Sequence, residues 1–377
     1  MQMDPRNKKL AKVLIEHSLK VKKGDKVVIS TSDLSTGDLM NECMKLSLQK
    51  GAQVYIDVMG WNLFLDRTSA CDTAREYLEN ASISQIKNPP EIYKNIVDWG
   101  NKFVRITTIE NYSHLHGVRK DKLNARKAAR REWFDILVDK KDWVLTYYPT
   151  NAMAQMAGLS TKELHDFYFK SVLIDYTKMK EQEDRIKNAL DKADKVHIVG
   201  EKTDLWINKK GRLACSCCGL RNIPDGEVFI APIKNEVEGE VYFDLPNFMD
   251  GVDVVGAHIK FEKGKAVEIS AEQGFDVLES NLNIDKGARY IGELGLGVNY
   301  GVKDIMRSTI FDEKIGGTIH IAMGKSYKDL EGGAPEGAND SAIHWDIVKD
   351  MRKKGSYIEI ETNGRTKRIF QEGKYLI

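Results

Sequence analysis

The chain contains no apolar run long enough to cross a bilayer. Its opening residues, Met1-Gln-Met-Asp-Pro-Arg-Asn-Lys-Lys, pass into an amphipathic segment without the apolar core of a secretory signal. Neither membrane insertion nor export is expected. Charge of one sign is missing too: 57 basic residues face 56 acidic ones, and a net charge of +1 gives no global pull toward nucleic acid or anionic lipid. Cysteine is sparse, with five residues in no regular framework, which suits a reducing cytoplasm better than a disulfide-stapled exterior. Three of them cluster as Cys215-Ser-Cys217-Cys218, but no second pair stands at zinc-ribbon spacing, and Cys43 and Cys71 are distant. Buried structural thiols on a strand, after a turn at Lys209-Lys-Gly-Arg-Leu213, are the expectation. A P-loop and a nucleophile elbow are also absent, and the G-x-G within Gly292-Glu-Leu-Gly-Leu-Gly297 does not sit in a strand-turn-helix context.

What is present reads as a globular protein of two domains, since 377 residues exceed the size at which single cores usually stop growing. In the first half, short β-branched runs alternate with helical patterns. Asp25–Ser30, Val54–Val58, Phe103–Thr108 and Trp143–Tyr148 are the strand candidates, and the repetition predicts a mainly parallel sheet covered by helices. Ser160-Thr-Lys-Glu163 is a capping box for a long helix running toward Asp194. Beyond it, short strands follow one another at Val196–Val199, Glu227–Ile230, Glu240–Phe243, Ala266–Ile269, Thr318–Ala322 and Tyr357–Glu361. The expected architecture is an α/β N-terminal domain over 1–190 and a β-rich α+β domain over 191–377.

Two features of the first half are weak leads. The basic run Arg119–Arg131 has helical spacing and no interleaved aromatics, so a solvated helix face is expected rather than a nucleic-acid surface. His114-Leu-His116 has ligand spacing but no adjoining acid or thiol. The second half is richer. Past a glycine-rich stretch, Asn339-Asp-Ser-Ala-Ile-His-Trp-Asp346 ends in His344 and Asp346, which point to one side of an extended segment. In Gly317-Thr-Ile-His-Ile-Ala-Met-Gly324, alternation sets Ile319, Ile321 and Met323 on one face and Thr318, His320 and Ala322 on the other. Glu227, Glu293 and Asp346 lie in apolar surroundings, where a carboxylate is costly unless it is paired or bound to metal. With Glu313 and Tyr327 they suggest a hydrolytic metal centre.

Taken in order, Ile223–Pro232, Asp285–Leu294, Phe311-Asp-Glu-Lys314, His320–Tyr327 and Ser341–Asp346 resemble the M29 metalloaminopeptidases, the aminopeptidase T and aminopeptidase S group. The likeness covers nearly all of the second half, and the first half matches in its α/β texture. The resemblance implies two divalent metal ions, zinc, cobalt or manganese, held by Glu227, Glu293, His320, His344 and Asp346. Glu293 would bridge them, and Tyr327 and Glu313 would stand at the edge. It further implies cytoplasmic homodimers that take the N-terminal residue from peptide substrates by a metal-activated bridging water. Glu227 and Glu313 compete for the proton-transfer role, and Tyr327 either ligates or holds the oxyanion. Two alternatives share the scaffold: an iron-dependent ring-cleaving dioxygenase, and a binding homologue without turnover.

Overall fold

The protein is described here from a computed structural model covering residues 4–58, 72–249, 251–327 and 338–377. Cys71 and most of the glycine-rich stretch before Asn339 lie outside the described residues. The chain divides into two compact units, one formed by residues 1–173 with 219–223 and the other by 174–218 with 224–377.

The first unit is built on strands β1 (Lys26–Thr31), β2 (Gln53–Val58), β3 (Lys102–Thr107) and β4 (Asp142–Tyr147), joined by β8 (Asn222–Ile223), to which the chain returns after strands of the other unit. All pair in parallel, in the order β2-β1-β3-β4-β8. Val27, Val28, Ile29, Phe103, Val104 and Val144 are buried, as expected for strands covered on both faces. Helices Gly37–Gln49 and Lys120–Lys140 contribute Leu39, Cys43, Ala125 and Leu137 to the buried interior. The basic run falls in the second of these, with Lys120 and Lys127 exposed. The Ser160 capping box is present, but its helix stops at Val172 instead of running on to Asp194. Asp175 then accepts from the N–H groups of Thr177 and Lys178 and caps a separate helix, Tyr176–Asp191. That helix belongs to the second unit, and the boundary expected at 190 falls at its far end.

Among the described residues the second unit holds two large antiparallel sheets and one two-stranded hairpin. The larger is formed by β5 (Lys195–Gly200), β6 (Thr203–Asn208), β10 (Val237–Phe243), β13 (Ala257–Glu262), β14 (Lys265–Ser270), β18 (Tyr357–Thr362), β19 (Arg365–Gln371) and β20 (Lys374–Tyr375). A short hairpin pairs β11 (Asn247–Met249) with β12 (Val252–Val254). The other sheet runs β17-β16-β15-β9-β7, from His344–Asp350, Thr318–Gly324, Ile291–Gly297, Glu227–Ile230 and Cys215–Cys217 respectively. Every residue of β15 and β16 is buried. Among the described residues no helix is long and apolar enough to cross a membrane.

Candidate metal centre

Register in the five-stranded antiparallel sheet gathers the expected donors. Glu293 lies opposite Ala322, Gly295 opposite His320 and Gly297 opposite Glu227, while Ala322 pairs with Asp346 and Gly324 with His344. Cross-strand partners share a face, so Glu227, Glu293, His320, His344 and Asp346 project to one side of the sheet. The same face carries Gly295, Gly297, Ala322 and Gly324, which put little or no side chain among the donors. A Cβ added at Gly295 would come within 2.0 Å of the His320 ring, so the imidazole lies across this glycine. At Gly297 it would come within 2.1 Å of the Ile315 carbonyl oxygen. The glycine spacing that imitates a dinucleotide fingerprint thus serves close approach inside a strand.

The donors converge at short range. His320 Nε2 lies 3.2 Å from Glu293 Oε1, 3.3 Å from Glu227 Oε2 and 4.0 Å from Asp346 Oδ1. His344 Nε2 lies 3.3 Å from Asp346 Oδ1. Ligand atoms of Glu227, Glu293 and His320 all fall within 4.8 Å of one another, as do those of Glu293, His344 and Asp346, so Glu293 is common to both triads. Glu313 sits behind, its carboxylate 2.7 Å from the Lys314 ammonium. The Tyr327 ring flanks His344, with centroids 4.7 Å apart.

The hydrogen bonds of the two imidazoles fix which ring nitrogen is free to face a cation. His320 Nδ1 donates to the Glu313 carbonyl at 3.1 Å, and His344 Nδ1 donates to the Lys325 carbonyl at 2.7 Å. A carbonyl only accepts, so each neutral ring keeps its proton on Nδ1 and turns an Nε2 lone pair toward carboxylate oxygens. Lone pairs facing anions in a buried site repel unless a cation or an extra proton lies between them. Backbone anchoring of the far nitrogen is also how ligating imidazoles are oriented. Glu227 Oε2 and Asp346 Oδ1 are buried and lack a hydrogen-bond partner among the described residues. The residues therefore fit divalent cations.

Titration behaviour agrees. Burial opposes charge on His320, yet Glu293, Glu227 and Asp346 lift it to about 9. Burial opposes charge on His344 as well, and Tyr327 and Asp346 carry it well above the ordinary imidazole range. Burial raises Glu293, and it raises Glu313 to about 8 against the pull of Lys314. Asp346 is pushed up by burial but held low by His344. Without metal, the cluster satisfies its surplus negative charge with protons.

Sequence reasoning missed Lys314. Its side chain is 1% exposed, and its ammonium meets Glu227 at 2.6 Å and Glu313 at 2.7 Å. Nothing in a lone Lys after a Glu signals burial, although it lies within the Phe311-Asp-Glu-Lys314 motif. The thiols adjoin this group. Cys217 pairs with Glu227 across β7 and β9, and Cys218 is buried. His114, by contrast, meets Asp72 at 2.7 Å, and no donor triad of the described residues includes it.

The donor set defines a class, proteins that hold divalent cations through carboxylates and imidazoles, and comparison with known proteins narrows it. A model of the family described as thermophilic metalloprotease (M29) matches residues 3–375. The chain belongs to the M29 family, and is by membership a metal-dependent hydrolase of peptide bonds; the match takes in the first half as well as the second. Aminopeptidase T of Thermus aquaticus is 28% identical, with 95% of this chain and 97% of that protein covered. Aminopeptidase AmpS of Bacillus subtilis is 31% identical over 48% of each chain. Among solved structures, wild-type AmpT from Thermus thermophilus shares the fold with a TM-score of 0.81 at 22% identity, covering 99% of both chains. A 2,5-dihydroxypyridine dioxygenase from Pseudomonas putida KT2440 shares it more loosely, with a TM-score of 0.55 at 14% identity over 98% of this chain and 97% of that one.

Proposed function

We propose that the protein is an aminopeptidase whose five donors hold two divalent cations, zinc, cobalt or manganese, in the second unit. One cation is assigned to Glu227 and His320, the other to His344 and Asp346, with Glu293 shared between them. The observation that carries the reading is that two donor triads meet at one carboxylate. When bound, such a pair lowers the pKa of the water lying between its members and polarises the scissile carbonyl.

The chain's own groups divide the remaining work. Glu227 is committed at both oxygens, Oε1 to Lys314 and Oε2 toward His320, so it serves to hold the centre. Glu313, lifted to about 8 by burial, is suited to receive a proton from the nucleophile and pass it to the leaving amine near neutral pH. Tyr327, beside His344 and 46% exposed, is placed to donate to the developing oxyanion. A free substrate α-amine supplies the fourth partner by adding a ligand or pairing with a carboxylate, which is why a peptide with a free N-terminus is the expected substrate. A cytoplasmic homodimer is the expected physiological form, and light scattering tests the dimer.

The direct test compares an aminoacyl p-nitroanilide with its N-acetylated form on metal-loaded protein. Acetylation is expected to lower kcat/KM by about 100-fold or more, since it removes a group the site is built to bind. Equal turnover of both would refute an aminopeptidase. Oxygen uptake with a dihydroxypyridine and no peptide hydrolysis would select the dioxygenase reading, and metal binding without either activity would select a binding homologue. Replacing Glu313 with Gln tests its role separately: full metal occupancy with normal turnover removes it from the mechanism.

A further inference from the structure

The proposed reaction gives the buried charge of Lys314 no task. The Lys314 ammonium lies 2.6 Å from Glu227 Oε1, 2.7 Å from Glu313 Oε1 and 3.7 Å from Asp225 Oδ1. A third donor triad occupies the same place, because Cys217, Asp225 and Glu227 also bring ligand atoms within 4.8 Å of one another. The three triads form a chain linked at Glu227 and at Glu293, and the triad at one end already holds a cation. A buried ammonium is costly and persists only where its partners are close and well placed.

Charge counting favours the same view. Asp225, Glu227, Glu293, Glu313 and Asp346 are five carboxylates gathered with one ammonium, both imidazoles being neutral as ligands and the adjoining Glu183, lifted by burial to about 9, neutral as well. The surplus is four negative charges, which two divalent cations cancel. A divalent cation in place of Lys314 would draw in the Cys217 thiolate and tie Glu227 to a thiolate-bound ion.

We propose that Lys314 is a positioning residue standing in for a third metal ion. Its ammonium fills the Cys217–Asp225–Glu227 pocket, keeps a thiolate-bound cation out of it, and fixes the orientations of Glu227 and Glu313. Taking Glu227 Oε1 leaves Oε2 to face His320, so Glu227 offers one oxygen to the centre. The strand pairing that sets Cys217 against Glu227 makes the pocket thiophilic once the ammonium is gone. This inference rests on the two-cation reading.

Cadmium is the probe, followed by equilibrium dialysis and by the ultraviolet thiolate-to-cadmium charge-transfer band, on full-length protein. The wild type is expected to bind two equivalents without the band. Lys314→Ala is expected to bind a third with the band, and Lys314→Ala combined with Cys217→Ser to lose both again. In the zinc-loaded or cobalt-loaded form, Lys314→Ala should lower kcat by about 10- to 100-fold with KM little changed, the effect of losing an outer partner of a ligand. Lys314→Arg covers the case in which the alanine variant does not fold. It should keep two equivalents and no band, yet lose at least about 10-fold in kcat, because a planar guanidinium cannot reproduce a point charge. Two equivalents and no band in Lys314→Ala, or wild-type turnover in Lys314→Arg, would overturn the inference. Fewer than two equivalents in the wild type would overturn the two-cation reading itself, and this inference with it.

Discussion

The protein contains two five-stranded sheets that solve burial in opposite ways. In the parallel sheet of the first unit, buried polar groups are mostly neutral and paired, as where Thr146 Oγ1 and Tyr168 Oη lie 2.8 Å apart. In the antiparallel sheet of the second unit, one face buries carboxylates and imidazoles beside Gly295, Ala322 and Gly324, with the Lys314 ammonium against them. Among the described residues the first arrangement contains no donor triad that could hold a cation. The second demands cations, so the response to metal, pH and substitution should concentrate there.

The sharpest break in that comparison is expected from Glu293→Ala. It removes the donor common to both triads and should lower kcat/KM by more than the roughly 10- to 100-fold that loss of an outer partner costs, with metal content falling in parallel. Gly295→Ala should follow, since its Cβ would collide with the imidazole of His320. Its signature is a loss of metal affinity measured by competition with a chelator, with first-unit packing unchanged.

Chelation comes next. At a free metal concentration 100 times Kd, bound ions stabilise a fold by about 2.7 kcal/mol, and removing them should lower the melting midpoint of the second unit selectively. Hydrogen exchange resolved by segment would read this directly. The metal-free protein should also respond to pH with a definite sign. His320, lifted from 6.5 to about 9, contributes stability that is fully present below pH 6.5 and is lost as pH rises through 9. Glu313, lifted from 4.5 to about 8, acts in the same direction, its buried carboxyl becoming a penalty as pH rises toward 8. Denaturation midpoints of metal-free protein should therefore fall between about pH 6 and 9, whereas metal affinity should rise over that interval as protons leave the ligands.

The smallest effects belong to the first unit. Tyr168→Phe should cost about 1 kcal/mol by breaking one buried hydrogen bond, and it should leave metal content untouched. Gly37→Ala, at the start of a helix with φ −51° and open space around the new methyl group, should stabilise by about 0.4–1 kcal/mol. A metal-dependent result for either would blur the contrast.

Much of this contrast is legible in the chain before folding. The strands β1 to β4 announce themselves because β-branched residues crowd between charged helical stretches, and a strand buried on both faces needs little else. His344 and Asp346, two apart on an extended segment, and His320 among small neighbours are readable as a shared face. Strand β15 is harder to see. Its glycines lower strand propensity, and their reason, room for an imidazole from the neighbouring strand, exists only after pairing. Lys314 is illegible for a similar cause, since its partners Asp225 and Glu227 lie 89 and 87 residues upstream and nothing local marks its burial. The helix break at Asp175 is hidden because the apolar periodicity runs on past it, and only the cap restarts the helix.

Bound metal per chain, measured at saturating cobalt for the wild type, Glu293→Ala, His320→Ala and His344→Ala, is the most direct test of a centre in which one carboxylate serves two cations. Two equivalents are expected in the wild type, with the loss of about one from either histidine variant and weakened binding of both ions in Glu293→Ala. One equivalent in the wild type, or undiminished binding of two after removal of Glu293, would contradict that arrangement.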